Sequence, residues 1–318
     1  MPLTLLIPDL ARLAATAPRL AALETLLTRA DVHPAPAAGE YGLLAEIFGL
    51  PSLTAVAAFT RLADTGQQDD AFWFRADPVH LAADRDQLVM LPLATLDVHA
   101  EEARALISAF NQLYAADGYR LEAAQPSRWY LRLPMDLQCV THAPQHIAGG
   151  PVFDFMPSGI DAARLKQLMN EIQMLFHEHP VNQVREASGR PLINTAWLWG
   201  GGRLPTSNAR VLQQVVTDMP LVRGLALFSG SDSDGWPVSA DMLMRMQDGL
   251  LALRSDDVDS LATVEAKAAE PLLNALRRGC VRQLDIYPGG DRVYRVTRSM
   301  LYRFWRRRQP LSALQNRT

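Results

Sequence analysis

Apolar segments of strand length alternate with amphipathic segments of helical period along most of this chain, and that alternation restricts the fold more than any single motif. Residues 3–7 read as a buried strand stopped by Pro8, and residues 18–30 place Leu20, Leu23, Leu26 and Leu27 on one helical face. Residues 33–39 read as a loop, residues 41–48 as a helix ended at Gly49 and Pro51, and residues 53–64 as a further helix. Strand patterns at 72–75 and 87–91 precede a helix over 99–116, which keeps Ala103, Leu106, Ile107, Phe110 and Leu113 in register, and then a strand at 129–133. A helix over 161–177 turns Leu165, Leu168, Met169, Ile172, Leu175 and Phe176 inward. Beyond it, 209–217 reads as helix, 222–228 as strand, and 239–253 and 257–277 as helices. Strand–helix–strand order of this kind predicts a mixed α/β sheet. Changes of character near residues 71 and 196 mark the expected bounds of an inserted domain.

At 318 residues the chain is long enough for one large or two smaller cores. Its 48% hydrophobic and 20% charged residues and its net charge of −3 give no global signal for nucleic acid. The charge is unevenly spread, however, since residues 277–308 hold ten Arg and two Asp. Cys139 and Cys280 stand far apart without C-x-x-C spacing, which argues against a disulfide framework or a zinc site and fits a reducing compartment. The amino-terminal segment has no basic stretch before its apolar run, so it does not read as a signal peptide. No apolar run reaches membrane-spanning length. A cytoplasmic protein with no membrane span is the expectation.

The segment from His177 to Pro205 is chemically the richest. It gathers two His, three Arg (Arg185, Arg190 and Arg203), Trp197, Trp199 and the run Gly200-Gly201-Gly202. Glycines permit close backbone approach and arginines supply positive charge, so an anion site is the natural expectation. The G-G-G-R run is neither a Walker loop nor a dinucleotide fingerprint. His177 and His179 have H-x-H spacing that suits a metal, although imidazoles near a helix end also serve its carbonyls. The S-D-S-D-G-W run at 231–236 lacks the first acid and the final Glu of a calcium loop and reads better as a turn. There is no G-x-S-x-G nucleophile elbow. In Y-R-F-W-R-R-R at 302–308, a helix would put Leu301, Phe304, Trp305 and Arg308 on one face. Such a face either grips nucleic acid or a membrane surface, or docks its aromatics on its own domain while the arginines reach water.

The motifs W-F-R-A-D-P-V-H-L, H-P-V-N-x-x-R and N-T-A-W-L-W-G-G-G-R-L-P resemble those of the archaeal-type cofactor-independent phosphoglycerate mutases of the alkaline phosphatase superfamily. More closely still, the chain resembles the bacterial RpfE-type regulatory proteins, a mutase-like group. The resemblance is most specific over residues 71–205, the family's inserted substrate-binding cap. It gives Arg75 the place of a cap arginine and puts His179, Asn182, Arg185, Asn194 and Gly200 on the second cap motif. Asp9 takes the place of the first metal-binding aspartate, followed by Leu10 instead of glycine, and Glu40 takes the place of the phosphoryl-accepting serine. The D-x-x-G-H metal motif has no counterpart, and no histidine follows His179.

The resemblance therefore implies an α/β fold with a reduced alkaline-phosphatase-like core, residues 1–70 and 196–318, and an inserted α/β cap, residues 71–195. It implies a non-catalytic regulatory protein that binds a phosphorylated metabolite through Arg75, His179, Asn182, Arg185, Asn194, Gly200 and Arg203. No cofactor is expected. Under the alternative of a divergent mutase or phosphohydrolase, manganese or zinc would sit among Asp9, His177 and His179, with Glu40, Asp232, Asp234, Asp248 and His33 as further candidates. A third expectation is a protein or nucleic-acid partner held through Arg298–Arg308.

Overall fold

The computed structural model describes residues 2–8, 10–35, 39–84, 87–246, 248–254 and 258–314. Two compact units divide the chain: a sheet unit of residues 1–53 and 207–318, and an inserted unit of residues 54–206.

The first arm of the sheet unit opens with β1 (Leu3–Leu6), buried along its whole length, as a strand covered on both faces must be. The short α1 (Leu10–Leu13) and then α2 (Ala21–Arg29) follow, the latter burying Leu23, Leu26 and Leu27. The edge strand β2 (Asp31–Pro34) takes in His33 and Pro34, the first two residues of the expected loop, whose residues 36–38 lie outside the described ones, and α3 (Gly39–Phe48) closes the arm.

The inserted unit begins with α4 (Val56–Thr65), β3 (Phe72–Val79) and the paired strands β4 (Leu81–Asp84) and β5 (Gln87–Met90). It continues through α5 (Ala100–Tyr114), β6 (Arg120–Gln125), β7 (Arg128–Leu133), α6 (Ala162–His177), α7 (Pro180–Ala187) and β8 (Thr195–Gly202). Strands β6-β7-β3-β8 form a four-stranded antiparallel sheet. Because β8 pairs with β3 from Thr195 to Gly202, the unit is wider than residues 71–195.

The second arm returns with β9 (Val215–Thr217), α8 (Pro220–Ser229), β10 (Ser233–Gly235), α9 (Ala240–Arg245) and β11 (Gly249–Ala252). It ends with α10 (Val258–Val264), α11 (Glu270–Arg278), β12 (Gln283–Tyr287), β13 (Arg292–Thr297) and α12 (Leu311–Leu314). A π-turn at Glu265–Ala269 joins α10 to α11, and the Glu265 carboxylate reaches back to accept the amides of Ala22 and Leu23 at the start of α2. The seven-stranded sheet has the order β10-β9-β11-β1-β12-β13-β2, parallel from β10 to β12, with β13 antiparallel to both neighbours. The α/β class with a large, mostly parallel sheet is as expected.

The second arm differs from the expected pattern at three places. Residues 222–228 lie in helix α8, whose Pro220 starts it and whose Gly230, at φ 73°, ends it. Residues 209–217 are not helical and finish in β9. The helix expected over 239–253 stops at Arg245, and its last part is the fully buried strand β11. An apolar run such as L-L-A satisfies a buried strand and a buried helix equally, so periodicity alone does not separate them. Among the described residues, no helix is long and apolar enough to cross a membrane.

Candidate functional site

The segment H-P-V-N-x-x-R folds into the start of α7 because its residues supply a helix start. His179 has extended backbone (ψ 138°), and its Nδ1 accepts the Val181 amide at 3.2 Å, with Pro180 in the first turn. Burial lowers the His179 imidazole pKa below its ordinary value, which keeps the acceptor lone pair available. Asn182, 2% exposed, donates to the carbonyls of Phe176 and Ile193 at 2.7 and 2.9 Å and accepts the Ile193 amide at 2.8 Å. Asn194 treats Leu81 in the same way, accepting its amide at 2.9 Å and donating to its carbonyl at 2.8 Å.

Arg185 is fully buried. It donates from Nε to the Pro191 carbonyl at 2.6 Å, from Nη1 to Glu102 at 2.7 Å, and from Nη2 to the Leu96 carbonyl. Glu102 also accepts Arg190 at 2.9 Å and the His99 amide at 2.9 Å, the latter capping α5. Asn182, Asn194, Arg185, Arg190 and Glu102 therefore form a clasp that ties α7, the segment before β8, β4 and the start of α5 together. Every polar atom named in it points at protein.

A second cluster lies across β3 and β8. Arg75 donates from Nε and Nη2 to Asp77 Oδ1, and the other Asp77 oxygen accepts Trp199 Nε1 at 2.8 Å. Its guanidinium carbon lies 5.2 Å from the centre of the Trp199 ring and 5.5 Å from that of Tyr130. The β3–β8 register shifts between Trp73 and Arg75, a bulge of the kind that re-aims side chains. Burial pushes the Tyr130 phenol far up, against the pull of Arg75, so it stays protonated and donates to Asp64 at 2.6 Å. Asp64 in turn holds Arg128 through two hydrogen bonds of 2.6 and 2.7 Å. Among the described residues Arg75 donates only to Asp77, and its side chain is 11% exposed.

The glycine run does admit a close backbone approach, and what approaches is the unit's own helix. A Cβ at Gly200, whose φ is +64°, would lie 2.9 Å from the Val56 Cβ, and one at Gly202 would lie 2.6 Å from the Ala55 Cβ. Gly201 is pressed against the Phe74 ring. Trp197 Nε1 donates to the His142 carbonyl at 2.8 Å. Arg203 pairs with Asp136 and also donates to the Asp70 carbonyl. The residues expected to form one anion site thus divide into the clasp, the Arg75–Trp199–Gly200 cluster and the Arg203–Asp136 pair, which share no hydrogen-bond partner.

The metal candidates are scattered too. Asp9 lies outside the described residues. His177 is exposed at the end of α6, and His179 caps α7. Asp232 precedes β10 and Asp248 precedes β11, at the sheet edge opposite the carboxyl end of β1, because these strands run parallel. Asp234 accepts Gln214 at 2.7 Å. His33, the one histidine of the sheet unit, sits on β2, three strands from β1. Glu40 opens α3, and its charge, after burial, helps raise the Tyr287 phenol. Among the described residues, no group of three or more His, Cys, Asp and Glu is placed to hold a metal ion. Sequence reasoning missed Asp218, at the carboxyl end of β9, which accepts the Arg254 amide at 2.9 Å; its place after a strand was the available signal.

The basic segment reverses the expected arrangement of an aromatic face docked on its own domain. Arg303 and Arg306 turn inward to Asp31 and to the carbonyls of Arg29 and Ala30, and Arg308 lies 3.4 Å from the buried Glu24. Tyr302, Phe304 and Trp305 are 67%, 80% and 66% exposed. The segment is a short 3₁₀ turn (Ser299–Tyr302) followed by bends, so the helical face drawn for it does not form, although Leu301 is buried.

A family model for 2,3-bisphosphoglycerate-independent phosphoglycerate mutase matches residues 63–182. A probable enzyme of that name from Geobacter sulfurreducens is 30% identical over 176 residues, 53% of this chain and 43% of that protein. One from Methanothrix thermoacetophila is 32% identical over 105 residues, 31% of this chain and 26% of that protein. The chain thus matches less than half the length of these relatives. The solved structure of the PH0037 protein from Pyrococcus horikoshii aligns with a TM-score of 0.53 at 13% identity, covering 93% of this chain and 87% of that one, a likeness of fold. By family model and by sequence, the chain is similar to the cofactor-independent phosphoglycerate mutases, chiefly through its inserted unit.

Proposed function

We propose that this chain is a non-catalytic, phosphoglycerate mutase-like regulatory protein of RpfE type that binds a phosphorylated small molecule at Arg75. The observation that carries this reading is the scatter of candidate metal ligands in the sheet unit. A two-metal phosphoryl-transfer site needs several carboxylates and imidazoles around cations about 3.5–4 Å apart. Here Asp232 and Asp248 stand at the edge opposite the end of β1, and the unit's single imidazole is three strands away. The described residues do not suit a manganese or zinc pair. The nucleophile position carries Glu40, which cannot form a phosphoserine.

On the inserted unit, Arg75 is held between the rings of Tyr130 and Trp199 and hydrogen-bonds to Asp77, with Nη1 left for a ligand. Arg185 spends its donors inside the clasp, so it supports the site without touching a ligand. Titration calorimetry with 3-phosphoglycerate tests the reading. Binding by the wild type, at least about tenfold weaker binding by Arg75→Gln, and no turnover with manganese are expected. Turnover, or equal binding by the variant, overturns it.

The exposed aromatics favour a second role for Arg298–Arg308, docking of a protein and not of nucleic acid. Asp31 already engages Arg303 and Arg306 and cancels half of their charge, while Phe304 and Trp305 face solvent. Retention of a single-stranded oligonucleotide that is lost in a Phe304→Ser/Trp305→Ser variant would reverse that preference.

A further inference from the structure

We infer that a cavity in the sheet unit, beside the turn between β12 and β13, binds a small amphiphilic carboxylate whose anionic end rests on Arg292. The cavity has a volume of 350 Å³, within the range of small-molecule sites. Its walls are mostly apolar, with Leu10, Ala14, Leu27 and Leu311 among them. Arg292 reaches it from the start of β13, and its Nη1 is buried yet makes no hydrogen bond with the described residues.

Buried polar atoms in folded proteins are nearly always satisfied, and the exceptions point to an absent water or ligand. A guanidinium nitrogen is an especially costly one to leave unpaired, because it carries charge. The neighbouring carboxylate does not relieve it, since Asp291 lies 3.6 Å from Nε and is itself 90% exposed. The turn is fixed in shape by Gly289 and Gly290, both in the left-handed region at φ 90° and 81°. Gly289 packs on the Pro8 carbonyl, leaving no room there for a side chain. Tyr287 also donates to the Gly290 carbonyl at 2.9 Å. The mouth of the cavity is therefore preformed.

The chemistry of the lining selects the ligand class. One cation with a carboxylate nearby suits a monoanion better than a phosphate dianion, which Asp291 would repel. Apolar walls add nothing for a bare oxyanion but stabilise a hydrocarbon or aromatic body. The site shares no residue with the Arg75 cluster, so its test stands or fails separately from the phosphate reading.

The experiment is calorimetry of the full chain with octanoate, octanamide and inorganic phosphate. Octanoate is expected to bind at one per chain, with octanamide at least about tenfold weaker. Arg292→Gln should weaken octanoate by a similar factor and leave octanamide unchanged. The wild-type comparison of acid with amide needs no variant, so it stands even if the substitution impairs folding. Absence of octanoate binding, equal affinity for acid and amide, or displacement of octanoate by equimolar phosphate would each overturn the inference. The first outcome would mean that Nη1 is satisfied by water alone.

Discussion

Replacement of Arg185 by alanine separates a structural arginine from a ligand-binding one. The substitution removes donors to the Pro191 and Leu96 carbonyls and to Glu102, inside a unit where the side chain has no exposed surface. Removing one side of a buried ion pair costs about 3–5 kcal/mol. Arg190 remains to neutralise Glu102, which places the loss near the lower end, about 3 kcal/mol. Two carbonyls are left without partners, each worth about 1–3 kcal/mol if water cannot reach it, so the loss does not fall much below that figure. Urea unfolding followed by tryptophan fluorescence reads the inserted unit directly, because Trp73, Trp129, Trp197 and Trp199 are all buried within it. The midpoint should fall with little change in slope. A variant within about 0.5 kcal/mol of the wild type would refute the clasp, since that is the range of a surface substitution. Loss of phosphoglycerate binding at unchanged stability would return Arg185 to the ligand.

Two further outcomes follow from the same unit. Burial holds the His179 pKa below 6.5 in the folded chain, so its contribution to stability is present above that value and is lost as pH falls through the depressed one. Thermal melts of His179→Asn between about pH 8 and 5 should show a flatter acid limb than the wild type, because asparagine caps without titrating; identical limbs would contradict it. Gly200→Ala must hold a side chain at φ +64° and press on Val56, which should cost about 1–3 kcal/mol and lower the melting temperature. An unshifted melt would show that the β8–α4 contact can yield.

Much of the secondary structure was legible wherever one face of an element is wet. The helices at 100–114 and 162–177 carry clear 3.6-residue stripes, and both were read close to their observed limits. Elements buried on all sides were not legible in that way. The strand Gly249–Ala252 reads as helix in the sequence, and the helix Pro220–Ser229 as strand, although its flanking Pro and Gly signal it. In the candidate site, the motifs are readable in the sequence but the partners of their side chains are not. Arg185 and the groups that consume it, Glu102 and Leu96, lie more than eighty positions apart, a pairing no local pattern encodes. The same holds for the arginines at 303 and 306, whose partner Asp31 stands at the other end of the chain.

The place of β1 in the sheet has a consequence for biosynthesis. This apolar strand lies between β11 and β12, neither of which exists until the ribosome has passed Gly249 and Gln283. The inserted unit, whose strands and helices are contiguous in the chain, is complete well before then. L-T-L-L must therefore wait as an unpaired edge, with both sets of backbone partners still to be made, while a second domain folds behind it. Such a segment is a natural client for a chaperone during synthesis. Mutations that slow closure of the seven-stranded sheet should accordingly show first as aggregation of nascent chains, before any loss in the finished protein.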